Sequence, residues 1–123
     1  MCIRDSNTIE PDEVYNLAAQ SHVAVSFKNP VYTTQTGTLG SVSLLEAIKN
    51  LDKKTKFYQA SSSEMYGGKE EIKLNEKSAF NPLSPYAASK ASSDHLVYSY
   101  VRTFKLNAVI TNCSNNYLSL IHI

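Results

Sequence analysis

Two side chains that could exchange a proton lie four residues apart near position 90. Tyr86 and Lys90 enclose the segment Tyr86-Ala87-Ala88-Ser89-Lys90. Residues four apart lie on one face of a helix, so this spacing would place an ammonium beside a phenol. A neighbouring positive charge favours the phenolate, which can then act as a base. The same spacing also occurs in ordinary surface pairs, so the pair needs support from other residues.

A cluster of small polar residues with one carboxylate lies upstream of this pair. Residues 61–67 read Ser-Ser-Ser-Glu-Met-Tyr-Gly and follow the strand-like segment 56–61. Open α/β sheets bind their ligands at the carboxyl ends of parallel strands. There, a serine hydroxyl could share a proton with Tyr86 and a substrate, and Glu64 could serve as a carboxylate base. The alternative is a turn of small polar residues with a solvated glutamate, and this cluster taken alone favours that alternative.

The segments that would position these side chains alternate between strand and helix patterns. Apolar, partly β-branched runs predict strands, and a stripe formed by Leu39, Val42, Leu45 and Ile48 predicts a helix. A second helix follows Ser84-Pro85, with Leu96, Tyr100 and Phe104 as its buried face. The predicted elements are strands at 13–19, 56–61 and 107–112, helices at 30–50 and from 84 onward, and a long loop at 67–82. Such alternation indicates an α/β fold with parallel strands buried on both faces and flanking helices.

Composition and charge exclude several classes of protein. The 123 residues include 12 Lys and Arg against 11 Asp and Glu, a net charge of +1, so no basic surface for nucleic acid or a membrane is expected. No apolar run approaches the ~20 residues of a membrane span, and residues 1–6 do not resemble a secretory signal. Cys2 and Cys113 form no disulfide framework, which predicts a cytoplasmic location. The few histidines and cysteines lack metal-ligand spacing, so no metal is expected.

The two ends of the chain can be encoded by DNA strings that are reverse complements of each other. Residues 1–6 can be written ATG TGT ATA AGA GAC AGN, and residues 118–123 can be written CTG TCT CTT ATA CAC ATN. An inverted repeat at both ends is typical of a sequencing adapter translated with a DNA fragment. We therefore predict that residues 1–6 and 118–123 are adapter-derived, and that residues 7–117 are a natural segment truncated at both ends.

Three motifs, taken together and in order, resemble the extended short-chain dehydrogenase/reductase family. They are Asn-Leu-Ala-Ala at 16–19, Ser62 with Glu-Met-Tyr-Gly at 64–67, and Ser-Pro-Tyr at 84–86 with Lys90. Within that family the chain is similar to the nucleotide-sugar 4,6-dehydratases over essentially all of residues 7–117. The resemblance implies a Rossmann-type doubly wound parallel sheet. It also implies that residues 7–117 are the central part of an NAD(P)-binding domain.

The resemblance also implies roles for individual residues. Tyr86 would take the proton of the sugar's 4-hydroxyl, Ser62 would hydrogen-bond that oxygen, and Lys90 would bind the nicotinamide ribose and favour the phenolate. Glu64 would remove the hydrogen on carbon 5 while the 6-hydroxyl leaves as water. The implied cofactor-binding residues are Leu17, Ala18, Ala19, Gln20, Ser21, Tyr32, Tyr86 and Lys90. The implied substrate-binding residues are Ser26, Ser63 and Asn115.

Different segments resemble different dehydratases. Residues 15–23, 25–27 and 57–61, with Ser63, are similar to GDP-mannose 4,6-dehydratases that use NADP, whereas the dTDP-glucose enzymes usually carry an aspartate at the position of Ser63. Residues 89–96 and 113–117 are more similar to the dTDP-glucose enzymes, for which NAD is the expected cofactor. A sugar-nucleotide epimerase or decarboxylase, and a nucleotide-binding protein without catalysis, are also compatible with the family. The resemblance further implies a homodimer or homotetramer assembled through the two long helices.

Overall fold

A three-stranded parallel sheet forms the centre of the molecule. The computed structural model describes residues 2–51, 54–68, 74–75 and 77–112, with the side chains of residues 2 and 3 left out. The strands are β1 (Glu13–Asn16), β2 (Lys56–Ala60) and β3 (Asn107–Thr111), in the spatial order β1-β2-β3. Both pairings are parallel, with Tyr15 opposite Tyr58 and Tyr58 opposite Val109. The three strands therefore end at one edge of the sheet, and the predicted parallel α/β architecture is confirmed.

Helical segments lie between consecutive strands, and one further helix precedes the first strand. They are α1 (Cys2–Ile9), α2 (Val23–Lys28), α3 (Pro30–Thr34), a π-helical turn (Gln35–Leu39), α4 (Gly40–Lys49), a 3₁₀ turn (Ser63–Tyr66) and α5 (Pro85–Phe104). The helix predicted over residues 30–50 is confirmed as a continuous run from α3 through the π-helical turn into α4. β1 ends at Asn16, three residues before the predicted end of that strand. The segment that follows is irregular and lies at the carboxyl edge of the sheet.

Residues at the start of α5 account for where this helix begins. Ser84 has extended backbone, and its hydroxyl accepts a hydrogen bond of 3.0 Å from the Ala87 amide. Pro85 occupies the first turn, where its missing N–H costs little. The serine cap satisfies one of the amides that a helix N-terminus leaves without a partner. The predicted start of this helix is therefore confirmed.

The core lies between the sheet and the two long helices. Leu45, Ile48, Phe57 and Val97 form a buried cluster, with half-buried side chains of β1, β3 and the two helices around it. On α5 the buried apolar side chains are those of Ala87, Ala91 and Val97, whereas the predicted Leu96 and Tyr100 are half-buried and Phe104 is 47% exposed. The prediction for Phe104 was wrong because small residues set the contact face of α5 (Ala87, Ser89, Ala91 and Ser93).

The two faces of the sheet differ in burial. Phe57 is buried against α4 and α5, whereas Tyr15 and Val109, which point to the opposite face, are 62% and 54% exposed. Helices α4 and α5 both pack on the face of the sheet that carries Phe57. Within the described residues, no helix covers the opposite face. The expectation that the strands are buried on both faces therefore does not hold within the described part of the chain. None of the described helices is long and apolar enough to cross a membrane.

Candidate functional site

Helix α5 is attached to the carboxyl end of β2 by two polar contacts. The Lys90 ammonium donates a hydrogen bond of 2.8 Å to the Ala60 carbonyl, the last residue of β2. The next residue, Ser61, directs its hydroxyl at the Asp94 carboxylate, 2.5 Å from both oxygens. Two consecutive residues of the chain are thus held by two consecutive turns of α5. These contacts fix the register of the helix against the strand end.

The polar cluster that follows β2 forms a short turn with an apolar anchor. The Ser62 hydroxyl accepts a hydrogen bond of 3.3 Å from the Glu64 amide and so begins the 3₁₀ turn. Met65 and Tyr66 are buried, and the Asn81 amide donates a 2.8 Å hydrogen bond to the Met65 carbonyl. Glu64 is exposed and Ser62 is half-buried. The buried side chains of Met65 and Tyr66 therefore hold the turn in place, while Ser62 and Glu64 stay accessible to solvent.

The first turn of α5 places Tyr86 at the same end of the sheet. Tyr86 is half-buried and lies one helical turn before Lys90. Helix α5 packs against the 3₁₀ turn that carries Glu64. Within the described part of the chain, no direct hydrogen bond joins the hydroxyls of Tyr86 and Ser62. The structure thus packs the turn that carries Ser62 and Glu64 against α5, the helix that carries Tyr86 and Lys90.

Burial dominates the electrostatics of this end of the sheet. Lys90 is only 3% exposed, and burial lowers the pKa of its ammonium, while the negative charge of Asp94 acts in the opposite direction. Burial raises the pKa of the Asp94 carboxyl to about 6, against the hydrogen bond from Ser61 and the nearby charges of Lys90 and His95. Each of these two groups therefore helps its neighbour to keep a charge that burial disfavours.

The predicted cofactor segment runs along the carboxyl edge beside β2. Leu17 is 68% exposed, Ala18 and Ser21 are exposed, and Ala19 and Gln20 are half-buried. Its first residues are held by Asn16, whose side-chain oxygen accepts from the Ala18 amide at 3.3 Å and whose amide donates to Gln59 at 2.8 Å. Tyr32, on α3, is 59% exposed. The segment thus offers backbone and side chains at the edge where α/β sheets bind ligands.

The three predicted substrate residues have different environments. Ser26 is fully buried, and its hydroxyl donates a hydrogen bond of 2.6 Å to the Val23 carbonyl of its own helix. Ser63 is half-buried in the 3₁₀ turn, next to Ser62 and Glu64. Asn115 lies outside the described residues. Of the three, Ser63 is the one that the structure brings to the candidate site.

Sequence reasoning missed Asp94 and Ser61, although both contribute to the geometry of the site. Asp94 follows Lys90 by four residues, as Lys90 follows Tyr86, so the three form one stripe along α5. That spacing was available as a signal, but an aspartate in a helix is usually solvent-exposed. Only the structure shows that Asp94 is 4% exposed and faces the strand end.

Comparisons with known proteins identify the family to which the chain is similar. The family model described as GDP-mannose 4,6 dehydratase matches residues 4–120. The GDP-mannose 4,6-dehydratase of Vibrio cholerae serotype O1 is 50% identical over 102 residues, which are 81% of this chain and 27% of that protein. The dTDP-glucose 4,6-dehydratase 1 of Escherichia coli K12 is 44% identical over 126 residues, covering 88% of this chain and 35% of that protein.

Solved structures show the same fold. The dTDP-glucose 4,6-dehydratase DesIV of Streptomyces venezuelae, with NAD and DAU bound, superposes with a TM-score of 0.85 at 34% identity, covering 94% of this chain and 35% of that one. RMD of Pseudomonas aeruginosa, complexed with NADPH, gives a TM-score of 0.78 at 30% identity, covering 85% of this chain and 36% of that one. The chain therefore spans about a third or less of the length of these relatives. On the match of the family model, the chain belongs to the GDP-mannose 4,6-dehydratase family.

Proposed function

We propose that the full-length protein carrying this sequence is a nucleotide-sugar 4,6-dehydratase that acts on GDP-mannose. The observation that carries the proposal is the attachment of α5 to the end of β2 through Lys90 and Ala60. This contact brings a phenol and an ammonium to the turn that holds a serine and an exposed carboxylate. Curated relatives named GDP-mannose 4,6-dehydratase, at 46–50% identity, support this choice of substrate.

The residues of the site suit the proton transfers that this reaction needs. The Tyr86 oxygen takes the proton of the sugar's 4-hydroxyl, and the Ser62 hydroxyl hydrogen-bonds the same sugar oxygen. Oxidation at carbon 4 makes the hydrogen on carbon 5 acidic, and the exposed Glu64 carboxylate removes it as the 6-hydroxyl leaves as water. General-base steps of this kind contribute roughly 10²–10⁴-fold each.

The residues at the carboxyl edge fit a nicotinamide cofactor. Lys90 has three N–H donors, and in the described part of the chain one of them goes to Ala60, which leaves two for ribose hydroxyls. Leu17, Ala18, Ala19, Gln20, Ser21 and Tyr32 would line the remainder of that site. When bound, the cofactor would supply reversible hydride transfer, with the hydride leaving carbon 4 and returning to carbon 6 while carbon 5 regains a proton, so the sugar would show no net oxidation. We propose NADP for this role, with NAD as the alternative.

We also propose the boundaries of the natural segment and its assembly. Residues 7–117 would be the central part of the NAD(P)-binding domain, with residues 1–6 and 118–123 derived from an adapter. Genomic DNA of the source would show other codons at those two ends if this is correct. A homodimer or homotetramer through the long helices is supported by exposed apolar side chains on α3 and α5, such as Val31 and Tyr98. A cytoplasmic location stays a prediction.

The experiment is a comparison of two substrates with the full-length protein. GDP-mannose and dTDP-glucose are each incubated with NADP and with NAD, and the masses of the products are measured by mass spectrometry. We expect loss of one water from GDP-mannose. Water loss from dTDP-glucose alone would establish the second candidate, which is favoured by the 44% identity to the Escherichia coli enzyme. Loss of water from neither sugar would contradict the proposal.

A further inference from the structure

A third residue extends the stripe that carries Tyr86 and Lys90. Asp94 lies one helical turn after Lys90, and its carboxylate is buried where α5 meets the end of β2. The Ser61 hydroxyl is 2.5 Å from both of its oxygens. Ser61 is the residue between Ala60, which accepts from Lys90, and Ser62. The Asp94–Ser61 contact is therefore adjacent in sequence to two residues of the proposed site.

We infer that Asp94, together with Ser61, is a positioning residue that fixes Ser62 against α5 and keeps the buried Lys90 ammonium charged. This inference rests on the proposed function for its catalytic consequence, but its structural and electrostatic parts stand without it. Among the described residues, the hydrogen bond from Lys90 to Ala60 would otherwise be the one side-chain hydrogen bond between the strand end and α5. With Asp94, two successive helical turns hold two successive residues, so Ser62 cannot shift along the helix.

The electrostatic part follows from the groups that surround Asp94. On α5 itself these are Lys90, His95 and Tyr98, and from the residue after β2 it is the Ser61 hydroxyl. A cavity of about 300 Å³ adjoins the carboxylate, and its remaining lining residues carry no titratable group (Phe80, Ile110 and Asn112). Among the described residues that line this cavity, Asp94 is thus the acidic group, and burial lowers the pKa of Lys90. Removal of the Asp94 charge leaves that burial uncompensated.

The test measures Lys90 directly in the full-length protein. Lysine is labelled with ¹³C at Cε, the Lys90 resonance is assigned by its loss in Lys90→Met, and its titration is followed by NMR. In Asp94→Asn, which can still accept from Ser61, we expect the Lys90 titration to move to lower pH by about half a unit to one unit. Glu46→Gln is the matched control, because it also removes a carboxylate that accepts a hydrogen bond from a hydroxyl, here that of Tyr100 on α5.

Activity supplies the second readout. In Asp94→Asn the high-pH limb of kcat/KM moves down together with the Lys90 titration, whereas Ser61→Ala lowers kcat about tenfold and leaves that limb in place. An unchanged Lys90 titration in Asp94→Asn, or an equal shift in Glu46→Gln, overturns the inference whether or not the protein dehydrates sugars. A shifted titration in a protein without dehydratase activity supports the inference and contradicts the proposed function instead.

Discussion

At the scale of single residues, burial at the end of β2 decides the behaviour of the ionisable groups. Asp94 has its pKa raised to about 6, mainly by burial, from an ordinary value of 3.8. The folded state therefore binds a proton at this group more tightly than the unfolded state does. The stability associated with the protonated form is present below about pH 4 and is lost as the pH rises to about 6.

Replacement of Asp94 by asparagine should remove that pH dependence. At pH 7 we expect Asp94→Asn to be more stable than the wild type, with a free energy of unfolding about 1–3 kcal/mol larger. The reason is that the variant does not have to bury a charged carboxylate. The difference should vanish near pH 4. Urea unfolding at both pH values checks this, and a variant that is less stable than the wild type at pH 7 would contradict it.

At the scale of elements, the π-helical turn lets α3 and α4 approach α5 closely. A Cβ at Gly37 would lie 2.7 Å from the Ser89 hydroxyl oxygen and 3.1 Å from its Cβ. The Gly37 carbonyl accepts hydrogen bonds from Ser41 at 2.7 Å and from Ser93 at 3.2 Å. Serine hydroxyl groups thus fill the space around Gly37 and leave no room there for a side chain. π-helical turns often occur beside functional sites.

Two glycines of this region make a matched pair for a stability test. Gly37→Ala should lower the free energy of unfolding by about 1–3 kcal/mol because of overpacking against Ser89. Gly40→Ala should leave it equal or raise it by up to about 1 kcal/mol, because its Cβ would meet only the Gln35 carbonyl, at 3.8 Å. Thermal unfolding of both variants tests this prediction. Equal stability of Gly37→Ala and Gly40→Ala would show that the close approach of Gly37 to Ser89 does not affect stability.

The elements were more predictable from the sequence than their contacts. Alternating strand and helix patterns located all three strands, and Ser84-Pro85 located the start of α5, because caps and periodicity are local properties. The π-helical turn at Gly37 and the inward orientation of Asp94 depend on partners far along the chain. Local propensity does not encode such tertiary contacts, so the sequence prediction of the site did not include the contact between Ser61 and Asp94.

At the scale of the whole molecule, the sheet is covered on one side only within the described residues. Tyr15, Tyr58 and Val109 lie opposite one another on the three neighbouring strands, and Tyr15 and Val109 expose apolar surface there. Exposed apolar patches on a sheet face promote association. For the 123-residue chain studied alone, this face is therefore the expected site of self-association.

A charge on the open face should reduce that association. Val109→Lys in the 123-residue chain is expected to shift the sedimentation profile towards the monomer, because a lysine on this face opposes stacking of two sheets. Thr103→Lys, which adds the same charge at an exposed position of α5, is the control. Equal sedimentation of Val109→Lys and the unmodified chain would locate the association elsewhere.

The most direct measurement of the proposed chemistry is hydrogen exchange at carbon 5 of the sugar. GDP-mannose is incubated in deuterated water with the full-length protein and NADP, and the product is analysed by mass spectrometry and NMR. Because the exposed Glu64 carboxylate exchanges its proton with solvent, the product should lack one water and carry deuterium at carbon 5, and Glu64→Gln should give neither. Unchanged GDP-mannose, or a dehydrated product formed equally well by Glu64→Gln, would contradict the account.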